Sequence, residues 1–353
     1  MIPTLDIKID KIAQSRISEM DFHHIDFAKQ YSDHMFMADY DGNGWKDFRI
    51  EPYHNISLSP ANPAIHYGQS IFEGLKAYKN PQNEVLIFRP QKNFARMNIS
   101  AARMMMPQIP EAMFMDGMHQ LIDLDRNWVP DVEGTSLYIR PFLFATDEYI
   151  GVRPSDTFKF MIITCPVGAY YAKPVKVKIE EHYTRAVKGG TGFAKTAGNY
   201  AASLYPAHQA QKEGYDQLIW TDGQFHQHIE ESGTMNIMFV INNTLITAPV
   251  GDTILNGITR DSVLELARDW EMKVEVRPFE VSELIAAIEN NTLQEAFGVG
   301  TAATIAHIEV IGYRDTDYTL DLNKRQFSTK LLDTLNDIRY GKTADKFGWN
   351  YLV

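Results

Sequence analysis

Cysteine is nearly absent from this chain of 353 residues, in which Cys165 stands alone. A single thiol excludes an internal disulfide and any multi-thiolate metal site. A chain of this length without disulfides fits a reducing compartment, so the expected location is cytoplasmic. Excess positive charge is missing too. Lys+Arg number 34 against Asp+Glu 45, a formal net charge of -11, which argues against nucleic-acid and membrane-surface partners. Long apolar runs are lacking as well. The greasiest stretch, FMIITCPVGAYYA at 160–172, is interrupted by Thr, Pro and Gly and falls short of a bilayer span. The opening MIPTLDIKIDKIAQSRISEM is charged throughout, unlike a secretory leader. No internal repeat is visible.

What is present is ordinary globular material, 44% hydrophobic and 22% charged, enough for about two domains at roughly 150 residues each. HMFMADY (34–40) and WKDFRIE, joined by DGNG, read as a hairpin. IFEGLKAYK and EVLIFR form a second pair around residues 80–83. Helical spacing follows at 91–104 and 111–126, then strand-like runs at 136–144 and 158–164. Methionines 104–106, 113, 115 and 118 suit core filling. CPVGAYYAKP (165–174) marks a composition shift. Beyond it, Val175, Val177 and Ile179 alternate with polar residues as a half-buried strand. NIMFVI (236–241) is a fully apolar strand, 261–270 an amphipathic helix and 323–339 a last helix before Gly341. The fold class is therefore α+β (mixed α/β).

Chemistry concentrates in the second half. Lys195 lies in GGTGFAKTAG, 189–198, the stretch with the smallest side chains. Small residues let backbone approach a ligand, and a lysine held there can act as an amine nucleophile. An exposed lysine on a glycine loop is the ordinary alternative. The same window is one residue away from a phosphate-binding P-loop, with Ala194 at the position that needs Gly, which leaves an NTPase as a competing class. NGITRDSVLELA (256–267) opens into a helix whose first amides, at Ile258 and Thr259, suit a phosphate. GVGTAAT (298–304) supplies a small-residue loop with the Thr301 hydroxyl, and Glu231 precedes the apolar strand. Three small-residue loops in one half read as one ligand gripped by backbone. A lysine, an anion site and a carboxylate are what pyridoxal phosphate needs. His226, His228 and Glu230 are spaced to share one strand face and suggest a metal-dependent enzyme. A metal motif needs further ligands, so a polar strand face and no metal are expected.

Seven segments in order resemble the branched-chain amino-acid aminotransferases of the fold-type IV pyridoxal-phosphate enzymes. They are HYGQSIFEGLKAY (66–78), FRPQKNFARM (88–97), LYIRP (137–141), GGTGFAKTAGNYAASL (189–204), EESGTMNIMFV (230–240), LNGITRDSVLELA (255–267) and GVGTAAT (298–304). The resemblance implies a two-domain enzyme: a smaller α/β domain at 1–168, a linker at 169–181 and a larger cofactor-binding domain with the catalytic lysine at 182–353. It implies that the cofactor is pyridoxal 5'-phosphate and that Lys195 forms its Schiff base. Tyr200 would meet the phenolic oxygen and Glu231 the pyridine nitrogen, with Arg96, Ile258, Thr259 and Thr301 around the phosphate. Substrate contacts would come from Phe27, Tyr67, Phe72, Tyr138, Arg140, Thr234 and Ala302. Arg140 would take the distal carboxylate of glutamate, and Val152 would be supplied by the neighbouring subunit of a homodimer. The implied partners are small amino acids and 2-oxo acids: leucine, isoleucine or valine gives its amino group to 2-oxoglutarate in ping-pong fashion. D-amino-acid aminotransferases and 4-amino-4-deoxychorismate lyases share the lysine and the glutamate. The Cys-x-x-Cys pair of some members is replaced here by Ala303 and Ala306.

Overall fold

The computed structural model describes residues 5–26, 28–168, 171 and 173–353. By internal contacts the chain divides into two units. The first takes in the chain up to residue 170, residues 194–197 and residues 336–353; the second takes in 171–193 and 198–335. This differs from the expected division. The expected linker contains a strand of the second unit, Lys195 groups with the first, and the C-terminal segment returns to the first.

In the first unit the strands are β1 (Lys8–Ile9), β2 (His34–Tyr40), β3 (Trp45–Pro52), β4 (Ser70–Phe72), β5 (Leu75–Lys79), β6 (Val85–Phe88), β7 (Ser136–Ala145) and β8 (Phe158–Val167). The C-terminal β18 (Asn350–Leu352) joins them in the order β1-β3-β2-β8-β7-β5-β6-β18, with β4 also on β7. The hairpin expected at 34–51 is β2–β3, paired from Tyr40↔Trp45 outward. Helix α1 (Pro63–Tyr67) begins at Asn62, whose side chain caps two amides. Helices α2 (Pro90–Arg103) and α3 (Glu111–Leu124) follow. Met97 and Ala101 of α2, Met113, Phe114, Met118, Leu121 and Ile122 of α3, and Phe36, Ile71, Leu75, Ile87, Leu137 and Ile139 of the sheet share one core. Most of the methionines fill that core as expected; Met105 does not, being exposed in a left-handed turn at φ 53°.

IFEGLKAYK does not form one strand. The register Phe72↔Phe142 and Leu75↔Ile139 is continuous, yet β4 ends before Glu73. Opposite Glu73 stands Pro141, which has no N–H to donate. It still accepts from the Glu73 amide at 2.8 Å.

In the second unit the strands are β9 (Val175–Ile179), β10 (Gln217–Thr221), β11 (Ile229–Ser232), β12 (Met235–Ile241), β13 (Thr244–Thr247), β14 (Lys273–Val276), β15 (Leu293–Gly300), β16 (Thr304–Tyr313) and β17 (Thr316–Thr319). They run β11-β10-β9-β16-β15-β12-β13-β14, with β17 on β16, and β11 also pairs β12. Six strands therefore close on themselves, which removes the open edges a sheet would otherwise leave unpaired. Val175, Val177, Ile179, Ile219, Ile237, Phe239 and Phe279 form its core. The helices α4 (Ala197–Ala201), α5 (Leu204–Lys212), α6 (Ile258–Asp269), α7 (Val281–Glu289) and α8 (Gln326–Arg339) complete the chain. Among the described residues no helix is long and apolar enough to cross a membrane.

Lys76 of β5 is buried in the first unit. Burial, reinforced by the charge of Arg339, pushes its amine down to about 7. Between that value and the ordinary lysine range the unfolded chain binds more protons than the folded one, so stability rises with pH across that window. In urea unfolding of the intact protein from about pH 7 to about pH 8.5, below the range where the raised Cys165 thiol works the other way, Lys76 should contribute a positive slope of up to about 1.4 kcal/mol per pH unit. Lys76→Met should flatten it, and an unchanged slope would mean that Lys76 stays protonated in the fold.

Candidate active site

Lys195 is not on a free loop. Its amide donates to Ser100 Oγ of α2 at 2.9 Å, its carbonyl accepts from the Phe72 amide at 3.0 Å, and Thr196 Oγ1 donates to the Ser70 carbonyl at 2.8 Å. Thr196 also bridges Ile71. The lysine is thus fastened to β4 and α2 of the first unit. Its Nζ lies 4.6 Å from the centroid of the Phe72 ring, within cation–π range. Arg140 of β7 approaches the same ring, with Cζ 4.5 Å from the centroid, and donates from Nη2 to the Tyr138 hydroxyl at 2.9 Å. No strand forms at 182–188, so the strand-loop-helix context of a P-loop is missing.

Beside these lies a residue that sequence reading passed over. Glu73 has no exposed surface. Its carboxylate receives Arg96 at two points, Nε to Oε1 at 2.7 Å and Nη2 to Oε2 at 2.8 Å. Asn93 Nδ2 donates to Oε2 at 2.7 Å and the Gly74 amide to the same oxygen at 3.2 Å. Burial works to raise the Glu73 carboxyl. The charge and hydrogen bonds of Arg96, the charge of Lys195 and the Asn93 amide outweigh it and hold the group below its ordinary value. Asn93 and Arg96 sit i and i+3 on α2 and so share a face. An acid inside the apolar run I-F-E-G-L was the available signal, because a carboxylate there must find partners.

In the second unit Glu231 lies buried on β11, in register with Trp220 and Asn236. Its Oε1 accepts from the Leu255 amide at 2.8 Å and from Asn236 Nδ2 at 3.3 Å. Arg185 Nε stands 3.1 Å from Oε2, an ion pair without hydrogen-bond alignment. Arg185 Nη2 donates to the Thr253 carbonyl. Arg185 is a second residue that sequence reading missed, since HYTRAVK carries no pattern that marks it. The Leu255 amide that binds Glu231 leads directly into α6. That helix starts buried at Ile258 and Thr259, and no side chain caps its N-terminus. First-turn amides have no carbonyl of their own helix to bond, so an anion suits them. Thr301 and Ala302 occupy the half-buried turn between β15 and β16, closed by Gly300↔Thr304. Thr234 is exposed at the β11–β12 turn, and Tyr200 is half-buried on α4.

Of the substrate-side candidates, Phe72, Tyr138 and Arg140 are together in the first unit. Tyr67 ends α1 and is 43% exposed; Val152 is 91% exposed. Phe27 lies outside the described residues. His226, His228 and Glu230 do not share an exposed strand face. His226 sits in a turn at φ 54° with Nδ1 2.7 Å from Thr221 Oγ1, and Glu230 is buried on β11. Strand β11 begins only at Ile229, because five backbone amides between 224 and 228 and the neighbouring turn are organised around Asp222 instead. Among the described residues no group of three or more potential ligands could hold a metal.

Residues 70–311 match the family model described as "Amino-transferase class IV". The chain is 44% identical over 346 residues to branched-chain-amino-acid aminotransferase 2 of Bacillus subtilis (strain 168), covering 96% of this chain and 95% of that one. It is 41% identical over 333 residues to the branched-chain-amino-acid aminotransferase of Mycolicibacterium smegmatis, covering 92% and 90%. Among solved structures it superposes on the branched-chain aminotransferase from Thermoproteus uzoniensis with norvaline at a TM-score of 0.76 and 24% identity, covering 90% of this chain and 99% of that one. The Thermobaculum terrenum enzyme in its PLP form gives 0.73 and 21%, covering 92% and 99%. These two show the two-sheet α+β architecture to be that of the fold-type IV enzymes.

Glu73→Gln should leave Arg96 buried against a neutral amide, and removing one partner of such a pair costs about 3–5 kcal/mol. A carboxyl held below its ordinary value stabilises the fold above that value and loses this contribution as pH falls through it. The deficit of the variant in urea unfolding should therefore be full at neutral pH and narrow toward acid. An equal deficit at both ends would assign it to packing rather than charge.

Proposed function

The chain belongs to the class IV amino-transferases, among the branched-chain-amino-acid aminotransferases, and from that premise we propose that it moves the amino group of leucine, isoleucine or valine to 2-oxoglutarate. The observation that carries this reading is identity above 40% along nearly the whole chain to enzymes named for branched-chain substrates. Those names favour this reading over the D-amino-acid and lyase branches of the fold.

The residues present fit pyridoxal phosphate. A buried, uncapped helix start in the second unit suits its phosphate, and each unit carries a buried arginine–carboxylate pair. When bound, the group supplies a carbonyl that captures amino groups and a ring that spreads negative charge. Arg96, the amides of Ile258 and Thr259, and the Thr301 hydroxyl would hold the phosphate. Tyr200 would meet the phenolic oxygen, and Glu231, fixed by Leu255, Asn236 and Arg185, would keep a proton on the pyridine nitrogen. The Lys195 amine would anchor the group covalently and move the proton at the substrate Cα. Phe27, Tyr67, Phe72 and Tyr138 would wall an aliphatic side chain, and Arg140 would meet the distal carboxylate of glutamate. Thr234 and the Ala302 amide would meet the α-carboxylate.

In the first half of the reaction the branched amino acid would leave its amino group on the holoenzyme, take up one water and depart as its 2-oxo acid. In the second, 2-oxoglutarate would take that amino group, give up one water and depart as glutamate, which returns the enzyme to its starting form. The exposed apolar stretch of Tyr149, Ile150 and Val152 favours a homodimer in which a second copy covers it. The lone buried Cys165 is in keeping with a cytoplasmic setting.

A visible spectrum of the purified holoenzyme tests the reading. A cofactor band that shifts with leucine and returns with 2-oxoglutarate is expected. A band that ignores leucine but answers a D-amino acid would move the chain to a sister activity. Lys195→Ala should abolish multiple turnover while the thermal melt stays cooperative, and wild-type turnover would remove Lys195 from the chemistry. Arg140→Ala should slow the glutamate half-reaction far more than the leucine one in stopped-flow measurements. Equal losses would make Arg140 a structural residue.

A further inference from the structure

The face of the first sheet that carries Phe72 and Arg140 has one position without a side chain. The register that pairs Phe72 with Phe142 and Leu75 with Ile139 sets Gly74 opposite Arg140. Alternate residues share a face, so Phe72, Gly74, Tyr138 and Arg140 stand together. A Cβ on Gly74 would lie 2.1 Å from the Tyr138 hydroxyl oxygen and 2.9 Å from Cζ, closer than real contacts allow. Its φ is not in the left-handed region, so glycine is demanded here by space and not by backbone angle.

The strand cannot withdraw to make room. On the opposite side the Gly74 amide donates to Glu73 Oε2 and its carbonyl accepts from Asn93 Nδ2 at 3.2 Å. Both partners are buried and tied to Arg96 or α2. The tyrosine must therefore give way. Tyr138 is itself buried against Cys165 and Val167, and its hydroxyl accepts the Arg140 guanidinium at 2.9 Å. Moving the ring removes that anchor and frees the guanidinium from its place over Phe72.

We propose that Gly74 is a specificity-determining positioning residue: its missing side chain seats the Tyr138 hydroxyl, which holds Arg140, and so sets how well the site takes an acidic side chain relative to a branched one. The proposal rests on the reading of Arg140 as the group that meets the distal carboxylate.

The test uses holoenzyme half-reactions with glutamate and with leucine, together with thermal melting, for Gly74→Ala, Tyr138→Phe, the double variant and Arg140→Ala. Gly74→Ala should lower the second-order rate constant for glutamate about tenfold more than that for leucine, the size of one hydrogen bond to a charged group. Tyr138→Phe, which keeps the ring wall and removes the anchor, should shift the ratio in the same direction. The double variant should be no worse for glutamate than Gly74→Ala, and should regain part of its melting temperature because the closest clash is gone. Equal losses for both substrates in Gly74→Ala and Tyr138→Phe, with Arg140→Ala discriminating, would overturn the proposal. If Arg140→Ala itself fails to discriminate, the underlying reading falls and the specificity claim falls with it; the melting comparison still judges the seat. If Gly74→Ala does not fold, a soluble double variant supports the seat, and an insoluble one beside a stable Tyr138→Phe overturns it.

Discussion

A carboxylate taken out of water must be met by charge and hydrogen bonds, and each unit of this protein carries one in the proposed site that is. Glu73 is matched by Arg96, Asn93 and the Gly74 amide; Glu231 by Arg185, Asn236 and the Leu255 amide. Desolvating such pairs offsets most of their mutual attraction, so they add little net stability. Their effect is positional. In the first unit the Glu73 network fixes the α2 side of the β4–β5 junction and presents Arg96. The same helix holds the Lys195 amide through Ser100. Lysine, arginine and the strand break thus share one set of constraints.

The interruption between β4 and β5 shows how a missing group can shape a site. Pro141 offers no N–H, so the ladder lapses at Glu73–Gly74 while its register persists. The carboxylate is then free to serve α2, and the glycine opposite Arg140 leaves the room that Tyr138 fills. Two faces of one short segment do different work: one binds the arginine of the proposed phosphate site, the other sets the geometry of the proposed substrate side.

Several glycines of the small-residue loops also serve packing, beside the ligand grip that their composition suggests. Gly298 and Gly300 leave space for Met235, Gly257 for Asn236, and Gly192 for Ala186 and the Asp252–Thr253 backbone. They are needed for close packing within the second unit whatever ligand is bound. Composition marks where side chains are absent but not whether protein or ligand occupies the space. The misreading of the histidines has a similar origin. Spacing over 226–230 implied a strand face, but Asp222 gathers the local amides into a turn, and a side chain that satisfies several backbone donors competes with strand pairing.

Local order was legible in the residues themselves. The β2–β3 hairpin, α2, α3, the alternating β9 and the fully apolar β12 follow from hydrophobic period and turn chemistry, which act between near neighbours. Family membership was legible for a related reason: seven spaced segments are specific together where none is alone. The grouping of Lys195 with the first unit, the return of the C-terminal strand to β6 and the partners of Glu73 and Glu231 lay beyond that reach. Each joins residues that are distant along the chain, and long-range pairing is set by which surfaces close over one another when the core forms. A motif shows that a lysine, an arginine and a glutamate are present. Which buried charge each must answer is decided only when the fold removes the water between them.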